Sequence, residues 1–319
     1  MAEGQTSVMV FDVVVVGAAG VDTLVRLPDP CPDLNRDSTM VSVLDTVGQA
    51  GAFTARGFAR LGWRTGFIGA LGDDWAGDAV RSAFARDGVE LAAVVPDPQG
   101  TARSVNLMGE AGRRWAFYDG RGHMDLEPPD AAAFVGARLA LFHLSDWSRH
   151  LLAPAAAAGC VIATDLQDVA DLDDPYRADF LAAADVVFCS AAHLDDPAGA
   201  AREVLARRPR LVVIGMGVEG ALGASNAGLV RLLPPSLPPT AELPLIDTNG
   251  AGDALAVGVL ARLVLSVSGG VETSTDDLAA ALVDGQLAAR WTCARRGSDD
   301  LITAPDLARL RLLAAPDLR

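Results

Sequence analysis

Asp247-Thr248-Asn249-Gly250-Ala251-Gly252-Asp253 leads into a segment, residues 254–265, whose single charge is Arg262 and which is apolar nearly all round. That pattern predicts a helix buried from its start, preceded by a short strand over residues 243–246. Gly250, Ala251 and Gly252 carry almost no side chain, so their backbone N–H groups can approach a ligand closely. Together with the positive end of the helix dipole they form a natural anion site. Asp253 sets an ionised carboxylate beside it. Phosphoryl transfer to a hydroxyl needs both parts, a cradle for phosphate charge and a base for the attacking O–H. The same residues also read as an ordinary helix start, with Thr248 or Asn249 as the cap and Asp253 complementing the dipole.

Composition narrows the classes. With 319 residues, half of them hydrophobic, the chain can build one large α/β domain or two modest ones. All 26 cationic residues are arginine. Without lysine, a GxxxxGK[ST] phosphate loop, Schiff-base chemistry and protein-kinase chemistry of the strand-lysine kind are excluded. Phosphate must be held by backbone amides, arginine or metal. The net charge of −15 argues against nucleic acid and anionic membrane as partners. The apolar run at residues 8–16 is interrupted by Asp12 and too short to span a bilayer. Cys31, Cys160, Cys189 and Cys293 lie far apart, as buried free thiols of a reducing cytoplasm would. The expectation is a cytoplasmic protein.

Residues 8–16 read as a central parallel strand covered on both faces. A helix over 50–61, a strand over 65–68 and a helix over 75–86 follow. Alternating strands at 101–108 and 113–118 are joined by the hairpin signal Gly109-Glu110-Ala111-Gly112. Further strands at 139–144, 160–164, 185–189 and 211–214 alternate with helices at 149–158, 174–184 and 197–206. This βαβ rhythm predicts one α/β domain over 1–319, a doubly wound, mostly parallel sheet between helical layers. Two β-rich stretches, about 23–47 and 99–122, fall outside the rhythm and should pair into a small second sheet.

Asp-Thr-x-Gly-Ala-Gly-Asp before a small, apolar helix resembles the C-terminal signature of the ribokinase-like (PfkB) family of sugar and nucleoside kinases. The resemblance implies a three-layer α/β/α fold. Its small β-sheet forms a lid over the substrate and, in several members, a homodimer contact. It implies ATP and Mg²⁺ as cofactors, leaves monovalent-cation dependence open, and makes a sugar, sugar acid or nucleoside the acceptor. It assigns Asp253 as catalytic base, the Gly250, Ala251 and Gly252 amides as anion hole, and Asn249 to the nucleotide side.

Gly17-Ala18-Ala19-Gly20-Val21-Asp22 is a turn at the carboxyl end of the first strand, the edge where open α/β sheets bind ligands. Asp22 is either a solvated turn acid or a carboxylate for substrate hydroxyls, and the resemblance favours the second. Gly20 stands where the family often has Asn. Gly48-Gln49-Ala50-Gly51-Ala52-Phe53 is similar to the family's Gly-Gly-x-Gly-x-Asn, with Gln49 for the second Gly and Phe53 for Asn. Gly48, Gln49 and Phe53 are therefore substrate-side candidates, Gln49 filling space and Phe53 forming either an apolar wall or plain core. An acceptor other than ribose in its usual seat is implied. On the nucleotide side Gly217 and Gly220 match the family's Thr-x-Gly-x-x-Gly turn, and Gly215 replaces the Thr. Ser190-Ala191-Ala192-His193 replaces Asn-x-x-Glu, so Ser190 is kept as a nucleotide contact while His193 is a poor Mg²⁺ partner. Asp195 or Asp196 would have to compensate, or simply cap the next helix, and the metal ligands stay unassigned.

Residues 292–298 resemble the loop closing the adenine pocket. The four histidines, His123, His143, His150 and His193, lack metal spacing. Arg103, Arg113 and Arg114 fall on the expected lid, and Asp165 at a strand end is structural or an acid standing behind a metal's own ligands. Two competitors remain. One is a catalytically weak binding or regulatory protein on the same fold; the other, a dinucleotide-dependent oxidoreductase, lacks a GxGxxG fingerprint.

Overall fold

The computed structural model describes residues 10–28, 37, 39–109, 114–119, 127, 131–241, 243–265 and 271–314. Residues 8 and 9 of the first expected strand, the turn at 110–113 with Arg113, and Cys31 and His123 lie outside them. β1 (Val13–Val16) is four buried valines. Side chains alternate across a strand, so Val13 and Val15 enter one core while Val14 and Val16 enter the other.

From β1 the chain runs through β2 (Gly20–Arg26), β3 (Ser42–Gly48) and α1 (Ala50–Arg60) to β4 (Thr65–Leu71), α2 (Trp75–Asp87) and β5 (Val89–Pro96). β6 (Ala102–Met108) and β7 (Arg114–Tyr118) follow, and then β8 (Leu139–His143), α3 (Leu152–Ala157), β9 (Val161–Asp168), α4 (Pro175–Ala183), β10 (Val186–Ser190), α5 (Pro197–Leu205) and β11 (Leu211–Gly215) alternate as the rhythm requires. β12 (Ala221–Ser225), β13 (Gly228–Leu232), α6 (Ala251–Leu260), α7 (Thr275–Cys293) and α8 (Ala304–Ala314) complete the order. A π-turn over Ala261–Leu265 continues α6.

Among the described residues, nine strands form the main sheet in the order β13-β12-β11-β10-β9-β8-β1-β4-β5. β12 and β13 are antiparallel additions at one edge; the remaining pairs are parallel. α1, α2, α6 and α7 cover one face and α3, α4 and α5 the other. β5, β12, β13, α7 and α8 were not among the expected elements. The second sheet has the order β3-β2-β6-β7. It begins at Gly20 rather than near residue 23, because β2 pairs with both β3 and β6 from that residue onward.

Beneath α1 lies a buried ion pair. Arg56 is wholly buried, its Nε donating to the equally buried Asp87 carboxylate at 2.6 Å. Nη1 of Arg56 donates to the Ser298 hydroxyl at 2.7 Å, and Ser298 in turn binds β3 through Thr46 and Val47. Burial pulls the guanidinium below its ordinary range, and Asp87 opposes that pull. Removing one partner of such a pair costs about 3–5 kcal/mol, because the other charge stays buried. Asp87→Asn should lower unfolding stability by that order in a denaturant titration; a midpoint within error of the parent would show that the pair is dispensable.

Candidate active site

Parallel strands end at one edge of the sheet, and ligands collect there where the strand order reverses. β1 sits at that reversal, between β4 and β8. Gly17, His143, Asp165, Ser190 and Gly215, at or near the carboxyl ends of β1, β8, β9, β10 and β11, line a cleft of about 1240 Å³.

α6 opens on this cleft. Its N-cap is Gly250, in the left-handed region at φ 75° and without a side-chain cap bond. Neither Thr248 nor Asn249 caps the helix. A Cβ on Gly250 would stand 2.3 Å from the Phe53 ring. Phe53 is thus both core, at 4% exposure, and a wall of the cleft. The helix start is not buried: Gly252 is exposed and Asp253 half-buried, and full burial begins at Leu255. The expected strand over 243–246 does not form, since Pro244 lacks an N–H and Ile246 donates to the Cys293 carbonyl at 2.7 Å. The Ala251 N–H donates to Thr248 at 3.2 Å and that of Ala254 to Gly250 at 2.9 Å. The N–H groups of Gly252 and Asp253 are the orphan donors of this turn.

Asp253 gathers with two residues of the sheet. One ligand atom from each of Asp253, His143 and Asp165 lies within 4.8 Å of the others. Burial lifts the Asp253 carboxyl well above its usual range, the Asp165 and Asp22 charges add to this, and Arg114 opposes it. Asp165 is pushed up to about 6, chiefly by burial, against the Gln167 N–H it accepts. Burial pushes the His143 imidazole down to about 4, so the ring is neutral near pH 7.

Asp22 lies on β2 and not in a turn, at 4% exposure. Its carboxylate accepts from the Gln49 side-chain amide at 2.7 Å, the Ser104 hydroxyl at 2.7 Å and the Asn249 amide at 3.3 Å. Gly48 backs this carboxylate, since a Cβ there would stand 2.1 Å from an Asp22 oxygen. Gln49 does more than fill space. It adopts φ 68°, ψ 147°, a region nearly reserved for glycine, and its side chain orients Asp22. Arg114, from β7, donates to the Asn249 side-chain oxygen at 2.6 Å. Ser104 and Asn106, joined at 2.8 Å, were missed by sequence reasoning. Their signal was two polar residues spaced by two in a strand, which places both on one face.

At the other end of the cleft, Gly215, Gly217 and Gly220 line the β11–β12 turn. The Ser190 hydroxyl lines the cleft and accepts the Ala192 N–H at 3.1 Å. His193 is exposed and off the cleft lining, and Asp196 caps α5 through the Gly199 N–H at 2.9 Å. This turn offers no carboxylate and does not fit Mg²⁺, which prefers oxygen ligands. Gln286, on α7, is 7% exposed and lines the cleft, yet neither its amide nitrogen nor its oxygen has a partner. Of residues 292–298, Cys293 lines the cleft, whereas Ser298 is bound to β3.

Residues 10–305 match the family model described as pfkB family carbohydrate kinase. The chain belongs to that family. An acarbose 7(IV)-phosphotransferase from Actinoplanes sp. is 36% identical over 262 residues, 78% of this chain and 84% of that protein. A fructokinase from Klebsiella pneumoniae is 32% identical over 273 residues, 77% of this chain and 86% of that one. The solved structure of a microbiome-derived acarbose kinase superimposes with a TM-score of 0.80 at 32% identity, covering 95% of this chain and 99% of that one. This pfkB-family chain is therefore an ATP-dependent carbohydrate kinase with the ribokinase-like fold. Among its described residues, no helix is long and apolar enough to cross a membrane.

Proposed function

We propose that this kinase transfers the γ-phosphoryl group of ATP to a hydroxyl of a sugar seated beside Asp22, with Asp253 as the base. The observation that carries the reading is Asp253 at the first turn of α6, next to the orphan N–H groups of Gly252 and itself, on the wall of the shared cleft. The acceptor oxygen attacks the γ-phosphorus, the bond to ADP breaks, and the hydroxyl proton passes to Asp253. The first-turn amides, with Gly250 and Ala251 shaping the turn, take the charge of the moving phosphoryl. Asp22, held by Gln49 and Ser104, orients the acceptor. Gly217, Gly220 and Ser190 border the nucleotide. The Ser190–His193 turn does not fit a metal, so no step runs through an ion there. The buried, free thiols of Cys160 and Cys189 support a reducing, cytoplasmic setting.

The small sheet acts as the lid in this reading, excluding water from the reaction. Its inner face carries Asp22, Ser104 and Asn106, while Val43, Val105 and Phe117, 49%, 41% and 58% exposed, share the outer one. That apolar outer face fits a second copy of the chain. A catalytically weak binding protein is the second reading, favoured by the missing carboxylate at Ser190–His193.

The decisive assay is ADP release from ATP across a panel of saccharides, sugar acids and nucleosides. The names of the two acarbose-directed relatives put acarbose first, ahead of fructose. Acceptor-dependent turnover that Asp253→Asn lowers by at least roughly 10²-fold, the scale of a general base, is expected. Silence throughout, in protein that binds ATP, would favour the binding protein. Gln286→Leu should raise the KM for ATP roughly tenfold, the weight of one or two hydrogen bonds to the base, with kcat little changed; an unmoved KM would remove Gln286 from base recognition. Sedimentation should show a dimer that Phe117→Glu splits, and a monomeric parent would end the dimer proposal.

A further inference from the structure

Asp22, Ser104 and Tyr118 stand opposite one another across β2, β6 and β7. Residues paired in this way share one face of a sheet. Ser104 donates to Asp22, so that face is the one over the cleft. Alternation then sends Phe117 to the outer face and Tyr118 to the inner one. Tyr118 lines the cleft, yet 67% of its surface is exposed. At about 4.8 Å per strand, its backbone stands about 10 Å from that of Asp22. A sugar ring seated on Asp22 lies under Ser104, and Tyr118 belongs to the space beyond it. Ala102, two residues before Ser104 on the same strand, brings only a methyl group to the cleft, and its β2 partner Gly20 brings none. The cleft also runs on past β1, to Ala70 on β4 and Asp97 just after β5. A tyrosine ring offers broad apolar surface while its hydroxyl stays in water, which suits the C–H face of a sugar.

We propose that Tyr118 is the stacking platform for a second sugar ring, so that the preferred acceptor of this kinase is an oligosaccharide rather than a single sugar. The inference rests on the reading that seats the acceptor beside Asp22. The ring to be phosphorylated sits on Asp22 and Ser104, and the next ring lies against Tyr118 beside Ala102. Tyr118 takes no part in the transfer; it decides which acceptors are held.

The test is calorimetric titration of the full chain with saccharides in the absence of nucleotide. Each oligosaccharide is compared with a single ring: maltose, maltotriose and acarbose with glucose, sucrose and raffinose with fructose. In at least one series the second ring should tighten binding at least about fivefold, and Tyr118→Ala should erase most of that gain, the scale of one aromatic contact. Single-ring affinity should not move, and Tyr118→Phe, which keeps the ring, should retain the gain. Ala102→Leu, which fills the space beside Tyr118, should weaken the longer saccharides selectively. No gain from a second ring in any series, or a gain that Tyr118→Ala leaves intact, overturns the platform. Equal weakening of single and multiple rings by Tyr118→Ala also overturns it, because Tyr118 would then only support the sheet. Single-ring affinity in Asp22→Asn reports on the seat itself. Left unchanged, it ends the seat and the platform together; lowered, with no gain that depends on Tyr118, it keeps the seat and ends the platform alone.

Discussion

Everything at the mouth of this cleft depends on Gly250 lying against the Phe53 ring. The left-handed turn there aims α6 at the cleft, and no residue with a Cβ fits the contact. α1 supplies the ring, and α1 is itself held by the buried Arg56–Asp87 pair and by Ser298, which is bound to β3. The direction of the first-turn amides is thus fixed by packing two layers deep, without a capping side chain. Pre-organised donors of that kind need no rearrangement when charge develops in front of them.

A polar chain joins the small sheet to the starts of α1 and α6. Arg114 holds the oxygen of Asn249, the nitrogen of Asn249 reaches Asp22, and Asp22 collects Ser104 and Gln49. Four elements from distant parts of the sequence thereby share a single carboxylate. Asn249 immediately precedes Gly250, so the acceptor end and the phosphate end of the cleft are linked through adjacent residues.

Elements whose residues meet nearby in sequence were legible. The four valines of β1, the alternation from β8 to β11 and the helix after Asp253 carry period and punctuation strong enough to read directly. The second sheet was foreseen in outline only. Asp22 looked like a turn residue because Gly17 and Gly20 come just before it, while its strand exists through pairing with β6, far along the chain. Ser104, Gln286 and the His143–Asp165 register are likewise products of tertiary contact. The spacing of Ser104 and Asn106 puts both on one face of their strand, but only pairing with β2 turns that face toward the Asp22 carboxylate. The strand expected before Asp247 failed for the opposite reason: an apolar run with no neighbouring strand to pair with stays irregular.

Gln49 has a consequence for anyone wishing to make this protein hardier. Its backbone angles suit glycine, and a stabilisation scheme guided by torsion angles alone would replace it with one. That replacement would relax the chain and at the same time release the 2.7 Å tether on Asp22. Stability and activity pull in opposite directions at this residue, so a thermostable variant is better sought in the helical layers than at the start of α1.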